Sequence, residues 1–156
     1  MKIERISHQP DKQAEAAELI YQEFAIKKEN PKTLDEVIEL FVDETDESLP
    51  IRFVALDEEQ AVGTVSLVEN DLTVRPEYTP WLASLVVKSD YRNRGVGQLL
   101  LEETKKMAKS LGYQVLYLRT ETASEYYKKH GWTYVETTAD AEFDKIDVFK
   151  VSLTEI

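Results

Sequence analysis

Two apolar runs joined by one amphipathic segment constrain this chain more than any other feature. Trp81-Leu82-Ala83-Ser84-Leu85-Val86-Val87 is almost wholly apolar, and Val115-Leu116-Tyr117-Leu118 is a second such run. Runs with little polar alternation suit strands covered on both faces. Between them, Leu99, Leu100, Met107, Ala108 and Leu111 read as the inner side of a helix that Gly95 opens. Gly112 stands just past its end, a natural stop. A strand, a helix and a second apolar strand in that order imply a parallel crossover unit.

The flanking segments add strands and short helices. Residues 2–7 alternate like a strand. Asp11 is placed to cap a helix running to about Ile26, with Ala14, Ala17, Tyr21 and Phe24 on one face. Pro31 separates it from a second helix capped by Thr33, whose Leu34, Val37, Ile38 and Phe41 keep the helical period. Ile51–Leu56, the turn Asp57–Gln60 and Ala61–Val68 form a hairpin-like unit. A polar loop with Pro76 and Pro80 leads into the first apolar run. Beyond the second run, residues 122–130 predict a short helix ending at Gly131, and Trp132–Glu136 and Ile146–Leu153 predict strands. No repeat, low-complexity tract or linker appears, so residues 1–156 read as a single domain, a mixed sheet with helices packed on its faces.

Composition narrows the chemistry. An apolar fraction of 42% with 31% charged residues predicts a folded domain rather than a disordered chain. The chain has no cysteine, which excludes disulfides, thiolate zinc sites and a cysteine acyl-enzyme. His8 and His130 are the only histidines, so no metal centre is expected. The formal charge of -11 argues against nucleic acid as a partner. It would attract a cationic substrate, although a solvated acidic surface is the plainer reading. The stretch Asp140, Glu142, Asp144 and Asp147 reads as such a surface, a loop and strand rim. No apolar run reaches membrane-spanning length and Met1–Ile6 lacks a signal-peptide core, so a cytoplasmic location away from membranes is expected.

The chemistry-bearing element is the junction Arg92-Asn93-Arg94-Gly95-Val96-Gly97, where the chain passes from the first apolar run into the helix. The first turn of a helix has N–H groups without internal partners, and the helix dipole adds to their pull on an anion. Glycine at 95 and 97 lets a phosphate come close to those amides, and Arg92 and Arg94 bring positive charge to an otherwise acidic chain. The same two glycines would also suit a plain tight turn with exposed arginines. No Gly-Lys-Ser/Thr follows, so this is not a Walker motif, and the third glycine of a dinucleotide fingerprint is not met.

The segment Val87-Lys88-Ser89-Asp90-Tyr91-Arg92-Asn93-Arg94-Gly95-Val96-Gly97-Gln98-Leu99-Leu100 closely resembles the coenzyme A motif of the GNAT acetyltransferase superfamily, which reads Arg/Gln-x-x-Gly-x-Gly/Ala. Downstream, Ala123-Ser124-Glu125-Tyr126-Tyr127-Lys128-Lys129-His130-Gly131-Trp132 resembles the same family's second motif: Ala, Tyr four residues on, then Gly-Phe or Gly-Trp after three more. The order of elements resembles the family fold along nearly the whole chain, and the specific motifs lie between Trp81 and Trp132.

The resemblance implies an α/β (α+β) fold: a mixed, mostly antiparallel central sheet with a parallel pair at the cofactor site and helices on both faces. It implies acetyl-CoA as cosubstrate, an amine as acceptor, and direct transfer between them; a homodimer is compatible with it. The pyrophosphate would lie on the turn amides of Asn93, Arg94, Gly95, Val96, Gly97 and Gln98, beside Arg92. The pantetheine arm would run along the backbone of Leu85, Val86 and Val87, where an N–H would polarise the thioester carbonyl. Tyr127 matches the family's usual general acid, although Tyr126 and Tyr127 also suit packing, and Tyr126 is expected in the core. The family often carries Asn where this chain has Thr120, which puts one cofactor contact in doubt. Some members place a glutamate base where Trp81 stands here; Glu69, Asp71, Glu77 and Glu121 are the alternatives, or an acceptor that arrives neutral. Trp81 suits equally an aromatic wall for a cationic acceptor and buried packing. His130 reads as a helix C-terminal residue favoured by the dipole. A non-catalytic acyl-CoA-binding sensor or interaction module, and a generic phosphate binder, are the competing readings.

Overall fold

A computed structural model describes residues 1–25, 32–40 and 48–154. Its seven strands are β1 (Lys2–Arg5), β2 (Ile51–Asp57), β3 (Gln60–Val68), β4 (Trp81–Val87), β5 (Val115–Thr120), β6 (Thr133–Thr138) and β7 (Ile146–Ser152). Its α-helices are α1 (Gln13–Ile20), α2 (Leu34–Glu39), α3 (Val96–Ser110) and α4 (Ser124–Lys129). The strands form one sheet in the order β1-β2-β3-β4-β5-β7-β6. The pairs β1-β2, β2-β3, β5-β7 and β6-β7 are antiparallel, and β4-β5 is parallel with Trp81 opposite Tyr117. The crossover expected from the two apolar runs is therefore present.

The chain divides into two compact units: Met1–Leu67 with Ser84–Thr104, and Val68–Ala83 with Lys105–Ile156. In the first, Ile6, Ala16, Ala17, Val37, Val54, Leu56 and Ala61 pack as one apolar cluster, joined by Leu19, Ile20, Tyr21 and Ile38. Complete burial of a side chain the size of Ile6 or Val54 contributes about 1.5–3 kcal/mol. The sequence phase of α1 needs correction. Asp11 does not cap it: Pro10 starts a 3-10 turn over Pro10–Lys12, and α1 follows without a side-chain cap. A π-turn over Tyr21–Ala25 then rewinds the end of the helix. Those two changes of pitch put Ala16 and Ala17 inside, while Ala14 and Phe24 face solvent. Thr33 does cap α2, in a capping box with Glu36: Thr33 Oγ1 accepts from Glu36 N at 3.2 Å and Glu36 Oε1 accepts from Thr33 N at 3.0 Å. Ile26, Pro31 and Phe41 fall outside the described residues.

The start of α3 packs on β3 with little room to spare at Gly63. A Cβ at Gly63 would stand 3.0 Å from Leu100 Cδ1, 3.1 Å from the Val86 carbonyl oxygen and 3.3 Å from Val96 Cγ1. The buried face of α3 is Val96, Leu100, Leu101, Thr104, Lys105 and Ala108. Leu99 and Leu111, expected inside, are 47% and 41% exposed. Thr104 lies inside because its hydroxyl donates back to the Leu100 carbonyl at 2.8 Å, which satisfies it without water.

In the second unit Leu72, Trp81, Ile146 and Val148 are buried together with Val68, Tyr78, Tyr117 and Val135 against them. β5 is longer than its apolar run and alternates, with Leu116, Leu118 and Thr120 buried and the residues between them half-exposed, so it is not the uniformly buried strand expected. Both α3 and α4 end in the same way. Tyr113 N donates to the Ala108 carbonyl and Gly112 N to that of Lys109; Trp132 N donates to the Tyr127 carbonyl and Gly131 N to that of Lys128. These are Schellman closures, which account for glycine at both stops.

Candidate active site

The turn before α3 is built by two residues in the left-handed region, Asn93 at φ 62° and Gly95 at φ 83°. Asparagine tolerates that conformation and glycine adopts it freely. The turn is held from behind. Tyr91 Oη donates to Asp57 Oδ2 at 2.6 Å, tying it to the end of β2, and Arg92 Nε donates to the Val87 carbonyl at 3.1 Å. The Asp57 contact also raises the Tyr91 phenol above its ordinary value. Arg92 reaches Glu23 at 3.7 Å, and the Arg94 guanidinium lies 5.1 Å from the centre of the Tyr91 ring. The helix proper starts at Val96, with Leu99 N donating to the Gly95 carbonyl at 3.1 Å.

The glycines of this turn are not there for packing. A Cβ built on Gly95 meets nothing within 4 Å, and one on Gly97 meets only Val87 Cγ2 at 3.8 Å, an ordinary contact. Gly95 is explained by its φ, but Gly97 is explained by neither backbone nor neighbours. Its missing side chain leaves open space beside the first turn of α3, and the N–H groups of a helix's first turn attract anions.

One residue of this region escaped sequence reasoning. Ser84 has φ 54°, within a strand, so the regular pleat of β4 is broken immediately before Leu85. A non-glycine residue held there stores of order 1 kcal/mol of strain. The only signal was its polarity: Ser84 is the one hydroxyl in an otherwise apolar run.

Tyr127 lies on α4 in the second unit. Its ring stands edge-on to Trp132 at 6.0 Å and to Tyr126 at 5.2 Å, and 6.2 Å from Phe149. Burial pushes its phenol up to about 12, with a small addition from Tyr126, so it is protonated throughout the neutral range. Tyr126 is not in the core: it is 40% exposed, with His130 against it at 4.3 Å. His130 is the C-cap of α4, as its position in the sequence implies. Thr120 holds the start of that helix, its Oγ1 accepting from Ala123 N at 2.9 Å and Thr122 N at 3.3 Å.

Trp81 resolves to packing. It is 0% exposed, and its indole N–H donates to the Tyr78 carbonyl at 2.7 Å. Tyr78 stacks on Tyr117 at 4.7 Å and donates to Glu136 Oε2 at 2.5 Å, while Arg75 Nη2 donates to Glu136 Oε1 at 2.6 Å. Of the four carboxylates considered as a base, Glu121 is distinctive: desolvation raises its carboxyl above the ordinary range, against the opposing pull of Arg119 at 3.6 Å. The acidic stretch is not uniformly a solvated rim. Asp140 accepts from Glu142 N and Phe143 N, both at 2.9 Å, and meets Arg119 at 3.3 Å, while Asp147 accepts from Ser124 and Thr137. Among the described residues no group of three or more His, Asp or Glu side chains could hold a metal ion, and no helix is long and apolar enough to cross a membrane.

The family profile for the Acetyltransferase (GNAT) domain matches residues 51–134, more than half of the chain. The chain belongs to the GNAT acetyltransferase family, an acyltransferase enzyme class that uses acetyl-CoA. Solved structures share the fold. An aminoglycoside 6'-N-acetyltransferase complexed with coenzyme A aligns with TM-score 0.77 and 20% identity over 98% of this chain and 97% of its own. The aminoglycoside 6'-N-acetyltransferase from Enterococcus faecium aligns at 0.73 and 20% identity, over 98% and 97%. The ribosomal-protein-alanine N-acetyltransferase from Brucella melitensis aligns at 0.72 and 18%, over 97% and 99%. Curated protein sequences give no match.

Proposed function

We propose that this chain, acting as one catalytic domain over residues 1–156, is an N-acetyltransferase that moves an acetyl group directly from acetyl-CoA to a primary amine of a small molecule or peptide. The observation that carries the reading is Gly97, a glycine that neither φ nor packing requires, in the first turn of α3 beside Arg92 and Arg94. Acetyl-CoA supplies an activated thioester. The amides of Asn93 through Gln98 hold its pyrophosphate, and the backbone of Leu85, Val86 and Val87 holds the pantetheine arm, past the break in the strand at Ser84. An N–H of that segment polarises the thioester carbonyl.

The amine nitrogen bonds to the acetyl carbon as the carbon–sulfur bond breaks. Tyr127 delivers its phenol proton to the departing sulfur, and Glu121, directly or through water, takes the proton that the amine gives up. Among Glu69, Asp71, Glu77 and Glu121, Glu121 is the surface carboxylate that partial desolvation raises. An acidic chain of net charge -11 favours a cationic acceptor, and aminoglycoside acceptors named for two structural neighbours agree with that. The third neighbour is named for a protein substrate, so the test spans both kinds.

Free-thiol release from acetyl-CoA is measured against aminoglycosides, polyamines, small amines and peptide N-termini. Release above the no-acceptor rate is expected with at least one cationic amine. Tyr127→Phe is expected to lose about 10²–10⁴ in kcat with little change in acetyl-CoA affinity. Because the phenol ionises only near 12, Tyr127 adds no falling limb to the pH–rate profile between neutrality and mildly basic pH. Full turnover by Tyr127→Phe at every pH would remove it as the acid.

A further inference from the structure

The helix that carries Tyr127 has little to hold it in place by itself. α4 is six residues long, has no side-chain N-cap bond and no fully buried residue. A helix of that length is unstable alone, because nucleation costs more than so few internal bonds return. Its position must come from outside, and at its N-terminal end a carboxylate and the Thr120 hydroxyl both supply it. Asp147 on β7 accepts a hydrogen bond from the Ser124 hydroxyl on Oδ2, and one from Thr137 Oγ1 at 2.6 Å on Oδ1. The Thr137 oxygen also meets the Tyr134 hydroxyl at 2.6 Å. With Thr137 donating to Asp147, Tyr134 must donate to Thr137, so the chain of hydroxyls is oriented toward the carboxylate.

Register explains why this residue can do it. Asp147 stands opposite Thr120 in the β5-β7 ladder and opposite Thr137 in the β6-β7 ladder. Thr120 in turn accepts the amides of Thr122 and Ala123 at the start of α4. Ser124 and Tyr127 are three residues apart on the helix and therefore share a face. A tie at Ser124 sets the rotation of the face that presents the phenol.

We infer that Asp147, through Ser124, is a positioning residue for Tyr127, fixing the rotation of α4 and thereby the direction in which the phenol proton is delivered. This rests on the reading of Tyr127 as general acid. The test is a double-mutant cycle in the full chain, followed by thiol release, with Ser124→Ala as the mild variant, Asp147→Ala as the severe one and Ser124→Thr as the conservative one. Displacing a reacting group by a fraction of an ångström to an ångström costs up to about a hundredfold, so Ser124→Ala and Asp147→Ala are expected to lower kcat about ten- to a hundredfold. The KM for acetyl-CoA stays within about twofold, and Ser124→Thr, which keeps the hydroxyl, restores most of kcat. In the Tyr127→Phe background, Ser124→Ala is expected to cost nothing further, since there is no proton left to aim.

An unchanged kcat in Ser124→Ala beside a slow Tyr127→Phe overturns the inference and leaves the acid in place. An equal loss from Ser124→Ala with and without Tyr127 also overturns it, because the bond would then serve only the fold. Full activity of Tyr127→Phe itself would instead remove the acid, and with it the need for aim. If Asp147→Ala does not fold, Ser124→Ala and Ser124→Thr decide the question.

Discussion

Single side chains separate binding from folding here, and the two glycine roles make the separation measurable. Gly97 has room for a methyl group, with Val87 Cγ2 at 3.8 Å as its only neighbour. Alanine is a better helix former than glycine by up to about 1 kcal/mol, so Gly97→Ala is expected to leave the thermal midpoint unchanged or raised. The same methyl group would stand in the proposed pyrophosphate site. Coenzyme A affinity measured by calorimetry is expected to fall at least about tenfold, equivalent to ~1.4 kcal/mol. Unchanged affinity would reduce the turn to plain chain geometry. Tyr127 poses a different question at this scale. A phenol near 12 is a reluctant donor, and each unit by which it exceeds the acceptor's value costs about 1.4 kcal/mol. In the proposed role, its usefulness as an acid therefore depends on being aimed well rather than on being acidic.

At the level of elements, Gly63 is the converse of Gly97. The Val86 carbonyl, 3.1 Å from its would-be Cβ, belongs to backbone and cannot swing aside as a side chain can. Gly63→Ala is expected to push α3 from β3 and cost about 1–3 kcal/mol in urea unfolding. Gly63 gave no sign in the sequence, where it is a lone glycine in a strand. What was legible there followed local rules: the apolar runs that became β4 and β5, the Thr33 cap, and the glycine stops at 112 and 131. What was not legible depended on partners far along the chain or on changes of pitch. The inner face of α1 was misphased because a 3-10 turn precedes it and a π-turn follows it. Leu99 was placed inside α3 on hydropathy, although Thr104 occupies that face with its hydroxyl satisfied by its own helix. The site divides along the same line. The turn at 92–98 could be read from spacing, whereas the Ser124–Asp147 tie joins residues 23 apart and the left-handed Ser84 has no sequence marker beyond its polarity.

Across the whole molecule, several carboxylates are tied into the fold, and that fixes the direction of its acid sensitivity. Hydrogen bonds from Arg75 and then Tyr78 hold Glu136 below the ordinary carboxylate range, and bonds from Ser124 and then Thr137 do the same for Asp147. In the unfolded chain these groups take up protons at higher pH than in the fold. Their contribution is therefore complete above the ordinary carboxylate range and is lost as pH falls through the depressed values. Both lie near solvent, so each contributes modestly. Urea midpoints are expected to fall with pH below that range, and Glu136→Gln is expected to flatten part of the decline; an unaltered slope would mean that other carboxylates govern it. The order of the strands carries one more consequence. Its outermost members are β1 and β6. β1 is four residues long and carries Lys2, Glu4 and Arg5, and the register of β6 against β7 shifts between Tyr134 and Glu136. A brief charged margin on one side and a bulged one on the other make poor templates for an incoming strand. Among the described strands, both outer margins are thereby poor seeds for fibrous growth.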